Sequence, residues 1–171
     1  MIREIITYPN KILKKSSKDI ENFDEDLAIL LDDMYETMMN KSGIGLAAIQ
    51  IAVPLNALLI NLPNDKDEQL KEDLLEIINP TILEKKGTTT YTEGCLSVPE
   101  YYEDVQRAEW IRVSYYDRKG SKIVAEYDGL LAIALQHEMD HLKGHLFIER
   151  LSFLKRKKFE KEWKKKQRNK K

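Results

Sequence analysis

Residues 129–142 read Gly-Leu-Leu-Ala-Ile-Ala-Leu-Gln-His-Glu-Met-Asp-His-Leu, and the rest of the chain is organised around them. Asp128-Gly129 offers a helix start and Gly144 a stop, so a helix is predicted between them. Leu130, Leu131, Ile133, Ala134, Leu135 and Leu142 make it apolar on most sides, the pattern of a buried central element. His137 and His141 lie four residues apart, one turn above each other on one face, where both imidazoles can reach one metal ion. Glu138 projects close by as a potential base, completing the His-Glu-x-x-His pattern of metal-dependent hydrolases. So short a pattern also arises by chance. Burying two imidazoles and a carboxylate in an apolar helix is costly without partners or a metal, however. Two of the chain's three histidines fall here.

The bulk properties are those of a globular chain. With 171 residues it is most simply one domain, large enough to bury a core. No window approaches the roughly 20 apolar residues of a membrane span. Met1-Ile2-Arg3-Glu4 lacks the basic start and apolar run of a signal peptide. One cysteine permits no internal disulfide, so a reducing cytoplasm is the expected compartment. The net charge of −1 conceals a division. Residues 152–171 carry 11 Lys/Arg against 2 Glu, whereas residues 1–151 carry 17 Lys/Arg against 27 Asp/Glu. A basic tail on an acidic body suits an anionic partner, RNA above all, or simply a solvated helix end. Residues 1–150 are thus read as the catalytic part, and 151–171 as a basic helix of the same single domain.

Ahead of the central helix, Ile5-Ile6 is an apolar start that Tyr8-Pro9-Asn10 stops. Leu27, Leu30, Leu31, Met34 and Met38 recur at spacings of three and four, which predicts a helix over 25–40. Asp24 is its N-cap and Ser42-Gly43 its stop, with the methionines as core filler. Residues 57–62 and 76–83 read as short strands split by the acidic stretch 64–73. Residues 88–91 are another β-favouring run, after which Val98-Pro99 is expected to break regular structure. Residues 111–116 and 122–127 predict a hairpin about Asp117-Arg118-Lys119-Gly120. Phe159 and Trp163, four apart, form one docking face of a lysine-covered C-terminal helix. Three helices with mostly antiparallel strands between them make an α+β fold, its sheets around the metal helix.

Catalytic zinc-type sites use three protein ligands and leave a position open. Three sources of a third ligand present themselves. His145 follows His141 by one turn, but Gly144 turns it away. The long metzincin motif fails because Phe147 stands where its histidine belongs. Cys95 lies in the glycine-flanked segment Glu93-Gly94-Cys95-Leu96-Ser97, and a buried structural cysteine is the alternative reading of it.

Three segments together resemble the peptide deformylase family. Gly43-Ile44-Gly45-Leu46-Ala47-Ala48-Ile49-Gln50 is similar to its first motif, Glu93-Gly94-Cys95-Leu96-Ser97 to its second and Gln136-His137-Glu138-Met139-Asp140-His141 to its third. Their order and separation agree as well, over nearly the whole chain. The resemblance implies removal of the formyl group from N-formylmethionyl nascent peptides. It implies metal ligation by Cys95, His137 and His141, with Glu138 as general base and acid, and Gln50 with the Leu96 N–H as oxyanion donors. Ile44 and Gly45 would line the substrate edge, and Gly94, Leu130, Ile133 and Ala134 the methionine pocket. The implied cofactor is one divalent ion, Fe(II) in the cell, with Zn, Ni or Co possible in purified protein. A monomer is expected, with no membrane and no DNA partner. The basic C-terminal helix is similar to that of the Gram-negative-like class, which docks at the ribosome. Several relatives have arginine where Tyr102 stands, near the pocket mouth.

Two other classes of protein compete with this reading. A zinc endopeptidase would use His137, His141 and a distant acid such as Glu160, and would spare Cys95. A non-enzymatic ribosome- or RNA-binding protein would use the tail and keep the metal for structure.

Overall fold

The computed structural model describes residues 1–170, so Lys171, the last residue of the basic tail, lies outside the described residues. Helix α1 (Glu25–Asn40) has the predicted bounds. The Asp24 carboxylate accepts from the Leu27 N–H at 3.1 Å, satisfying one of the free donors of the first turn. At the other end Ser42 takes φ 55° and the Gly43 N–H donates to the Met38 carbonyl at 2.9 Å. Met34 and Met38 are fully buried, as core filler should be.

The strands are β1 (Gly45–Ala47), β2 (Ala57–Ile60), β3 (Leu75–Lys86), β4 (Thr89–Cys95), β5 (Val98–Arg107), β6 (Trp110–Tyr116) and β7 (Lys122–Asp128). Five of them form an antiparallel sheet in the order β1-β2-β3-β6-β7, while β4 and β5 pair only with each other. Alternation along β2 explains how the sheet is covered. Leu58 and Ile60 join one buried cluster, and Ala57 and Leu59 join another. The first cluster contains Leu135, Met139 and Leu142, and the second contains Leu27, Leu31 and Met34 of α1. Both faces of β2 are therefore covered, which is why it reads as an unbroken apolar run. The first cluster is completed by helix α2 (Gly129–Leu142), buried from Ala132 to Leu142 as its composition predicted. Gly144 has φ 81°, and a Cβ there would collide with the Lys14 carbonyl, so the chain can end the helix and turn only with glycine.

The break expected at Val98-Pro99 is absent, since β5 begins at Val98. Cys95 pairs with Val98 and Glu93 with Glu103, so residues 99–102 bulge out opposite Gly94 alone. A bulge takes residues out of the ladder, and proline is tolerated there. Thus Pro99 distorts the strand without ending it.

Helix α3 (Phe153–Asn169) begins at Ser152, whose hydroxyl accepts from the Lys155 N–H at 3.3 Å. Phe159 is only 1% exposed, with its ring 4.6 Å from that of Tyr101 and 5.4 Å from that of Tyr8. Trp163 meets Tyr8 edge-on at 5.2 Å. Lys155 pairs with Glu103 at 3.3 Å, and Lys166 donates to the Glu100 carbonyl at 3.1 Å. The basic helix is thereby seated on the β4–β5 ribbon. Among the described residues no helix is long and apolar enough to cross a membrane.

Phe159→Ala should therefore lower stability by about 3–5 kcal/mol, the cost of emptying an aromatic site in a core. Urea denaturation measures it, and a loss below about 1 kcal/mol would show that α3 is not docked in solution.

Candidate active site

The side chains of Cys95, His137 and His141 converge, their ligand atoms all within 4.8 Å of one another. Cys95 is the last residue of β4, and the histidines stand on successive turns of α2. The His141 Nε2 is 3.4 Å from the Cys95 Sγ. His137 uses Nδ1 for a 2.8 Å bond with the Glu93 carboxylate, which turns its Nε2 toward the cluster. Burial, and then the neighbouring His137, hold the pKa of His141 well below the usual imidazole value. Burial also acts to lower that of His137, but its bonds with Cys95 and Glu93 outweigh this and raise it. A half-buried thiol and two buried imidazoles converging on one point are a donor set for a divalent transition metal. The residues fit such an ion. His141 presents Nε2 to the Cys95 Sγ, and the Glu93 bond at Nδ1 leaves the His137 Nε2 facing them, so three donor atoms point at one volume.

Glu138 lies beside this set, fully buried, and burial pushes its pKa up to about 7. Its Oε2 has no hydrogen-bond partner among the described residues. Gly45 makes room for it, since a Cβ at that position would lie 2.9 Å from Glu138 Oε1. Gln50 is held in one orientation. Its Oε1 accepts from the Ala47 N–H at 2.9 Å, and its Nε2 donates to Ser97 Oγ at 3.0 Å and approaches Cys95 Sγ at 3.6 Å. The Ser97 hydroxyl spends its proton on the Ile6 carbonyl at 2.7 Å and so must accept from Gln50. Leu96 is the first residue of the tight turn joining β4 to β5, where its N–H is outside the strand ladder.

A cavity of about 900 Å³ opens in front of these groups. Ile44, Gly45, Gly94, Leu96, Leu130, Ile133 and Ala134 all line it, together with Gln50, Cys95, His137 and Glu138. Every residue singled out from the three motifs thus borders one site, either in the donor set or on the cavity wall. The rival ligands lie elsewhere. His145 is exposed and bonded to Glu149 at 2.9 Å, and Glu160 faces Arg156 on the exposed side of α3.

Sequence reasoning missed the groups behind the ligands. Arg107 has a side chain only 2% exposed and donates two 2.8 Å bonds to Glu93. Its remaining arm donates to Asp140 at 2.6 Å, and Asp140 also accepts two bonds from Arg150. Burial opposes ionisation of Glu93 and Asp140, but these cationic partners overcome it and keep both pKa values below the usual carboxylate range. One signal was available. Arg107 follows Val105 at the strand period of two, on a face where Val105 is buried, so an arginine occupied a core position. Arg107→Met should cost about 3–5 kcal/mol, because it leaves Glu93 buried without its arginine and Asp140 with Arg150 alone. Thermal unfolding with denaturant titration measures it, and a loss below about 1 kcal/mol would show the network to be incidental.

Comparison with known proteins places this geometry. The family described as polypeptide deformylase matches residues 2–157. A peptide deformylase of Nautilia profundicola is 57% identical over 164 residues, covering 96% of this chain and 94% of that one. The peptide deformylase of Campylobacter jejuni is 55% identical over 170 residues, covering 99% and 97% of the two chains. Among solved structures, a peptide deformylase from Legionella pneumophila superposes with a TM-score of 0.89 at 40% identity, over 99% of this chain and 98% of that chain. Identity at this level, end to end, leaves no support for the endopeptidase or the purely structural metal protein, and the chain belongs to the peptide deformylase family, metal-dependent hydrolases that remove the N-formyl group from nascent peptides.

Proposed function

We propose that Cys95, His137 and His141 hold the catalytic metal of this hydrolase, and that the ion is Fe(II) in the cell. The convergence of the three donors beside the buried Glu138 carboxylate, whose Oε2 has no hydrogen-bond partner among the described residues, carries this reading. A thiolate with two imidazoles suits Fe(II), Ni, Co or Zn, and an oxidisable thiolate ligand belongs in a reducing cytoplasm. When bound, such an ion supplies Lewis acidity, bringing the pKa of a ligated water down toward about 7.

The chain's own residues do the rest. Strand β1 is at the edge of its sheet, so the outward backbone of Gly45 can pair with an extended peptide, while Ile44, whose carbonyl accepts from the Asn61 N–H at 2.8 Å, lines the same edge. That pairing directs the first side chain, methionine, toward the apolar wall of Leu130, Ile133 and Ala134 beside Gly94. Glu138 takes a proton from the attacking water and passes it to the nitrogen of the breaking amide, releasing formate and a free N-terminus. A carboxyl with pKa about 7 is suited to both transfers near neutral pH. As the formyl oxygen gains charge, the Gln50 amide and the Leu96 N–H donate to it, and their fixed positions stabilise the transition state more than the ground state.

The basic helix has a further role in this reading. Residues 1–150 perform the chemistry, and residues 151–171 belong to the same domain but present cations to ribosomal RNA. Phe159 and Trp163 face inward, leaving Lys157, Lys161 and Lys164 exposed on α3.

Three results are expected. Glu138→Ala keeps its metal but loses about 10²–10⁴-fold in formate release, whereas Cys95→Ser loses metal and turnover together. Metal analysis and formate assay on the same samples separate the two roles, and a Cys95→Ser enzyme with normal metal content and rate would remove the thiolate from the ligand set. Reversing Lys157, Lys161 and Lys164 to glutamate in the full chain should abolish salt-sensitive co-sedimentation with ribosomes. Equal sedimentation of both forms would show that α3 does not dock there.

A further inference from the structure

The cavity has an apolar rim beyond the wall that receives methionine. Of the ten large hydrophobic residues that are exposed among the described residues, four line this one cavity, namely Ile2, Ile44, Tyr91 and Tyr102. Tyr102 is the most exposed of the four, at 68%. It ends the bulge of β5 opposite Gly94, and a Cβ at Gly94 would collide with its ring. Bulges beside active sites commonly re-aim a side chain, and here the strand gives up its ladder to lay a tyrosine ring over the residue next to Cys95. The charges on the same rim give no consistent sign. Arg3 is tied to Asp33 at 2.7 Å and Glu100 lies 3.9 Å from Lys166, while Glu4 and Lys41 are opposite in charge.

An exposed aromatic ring beside a substrate channel gains by covering apolar surface. We propose that Tyr102 is a specificity-determining residue, selecting apolar and aromatic side chains at the positions that follow formylmethionine. The proposal rests on the deformylase reading and sharpens it from the methionine pocket to the residues beyond. Side chains of an extended peptide alternate between the two walls of the channel, so the second and third residues sample different sides of the rim. A ring contact of this kind is worth roughly three- to tenfold in kcat/KM.

The test compares formyl-Met-X-Ser and formyl-Met-Ala-X, with X as Phe, Leu, Gly, Asp or Lys, on the metal-loaded full chain. Phe and Leu should exceed Gly, Asp and Lys by roughly three- to tenfold in kcat/KM at one position or both. That ratio should fall toward one in Tyr102→Ala and persist in Tyr102→Phe, which keeps the ring. Equal rates for all X, a preference for a charged X, or a preference untouched in Tyr102→Ala would each overturn the proposal. Formate released from none of the peptides, glycine members included, would overturn the deformylase activity itself, and this proposal with it.

Discussion

A guanidinium buried between two carboxylates sets the distances on which the metal site depends. Arg107 grips Glu93 with two bonds and Asp140 with one. Glu93 stands two residues before Cys95 on β4, and Asp140 stands next to His141 on α2. The β4–β5 ribbon has no ladder to the main sheet, so backbone pairing cannot place Cys95 against the histidines. Side chains have to do it. Glu93 also bonds His137, so one carboxylate serves as both the ribbon's anchor and the imidazole's support. Buried ion pairs gain little net stability once desolvation is counted, and their value here lies in defining one relative position of strand and helix.

The same site separates its carboxylates by function. Glu93 and Asp140 are buried but paired with arginine, and remain ionised and structural. Glu138 is buried with no arginine bonded to it among the described residues, and burial outweighs the His137 ring 3.8 Å away and lifts its pKa to about 7. Three acids within a few residues of the ligands thus differ in what faces them, and only the one without an arginine is free to carry a proton. Divergent environments of this sort are how a fold divides labour among like groups. Glycine makes the arrangement possible at Gly45, where any side chain would press on Glu138.

Local features of the fold were legible in the sequence. The bounds of α1, the β6–β7 hairpin and the buried α2 follow from short-range signals such as a capping aspartate, a turn and an apolar surface. The histidine pair and Glu138 were likewise local. Cys95 was not, since strand and helix meet only in the folded chain, and its choice over His145 rested on family resemblance. Glu93, Arg107 and Asp140 were read without a role because their partners lie 14, 33 and 44 residues apart. Pro99 misled for a related reason. Proline argues against a strand interior, but it cannot reveal that a bulge will absorb it.

Metal content and formate release, measured on one anaerobically purified sample of the full chain, decide whether this site is an iron centre that hydrolyses the formyl group. One divalent ion per chain is expected, with release of formate from formyl-Met-Ala-Ser, loss of that activity on chelation and its return with Fe(II). Full activity in metal-free protein, or none in protein carrying its metal, would contradict this assignment.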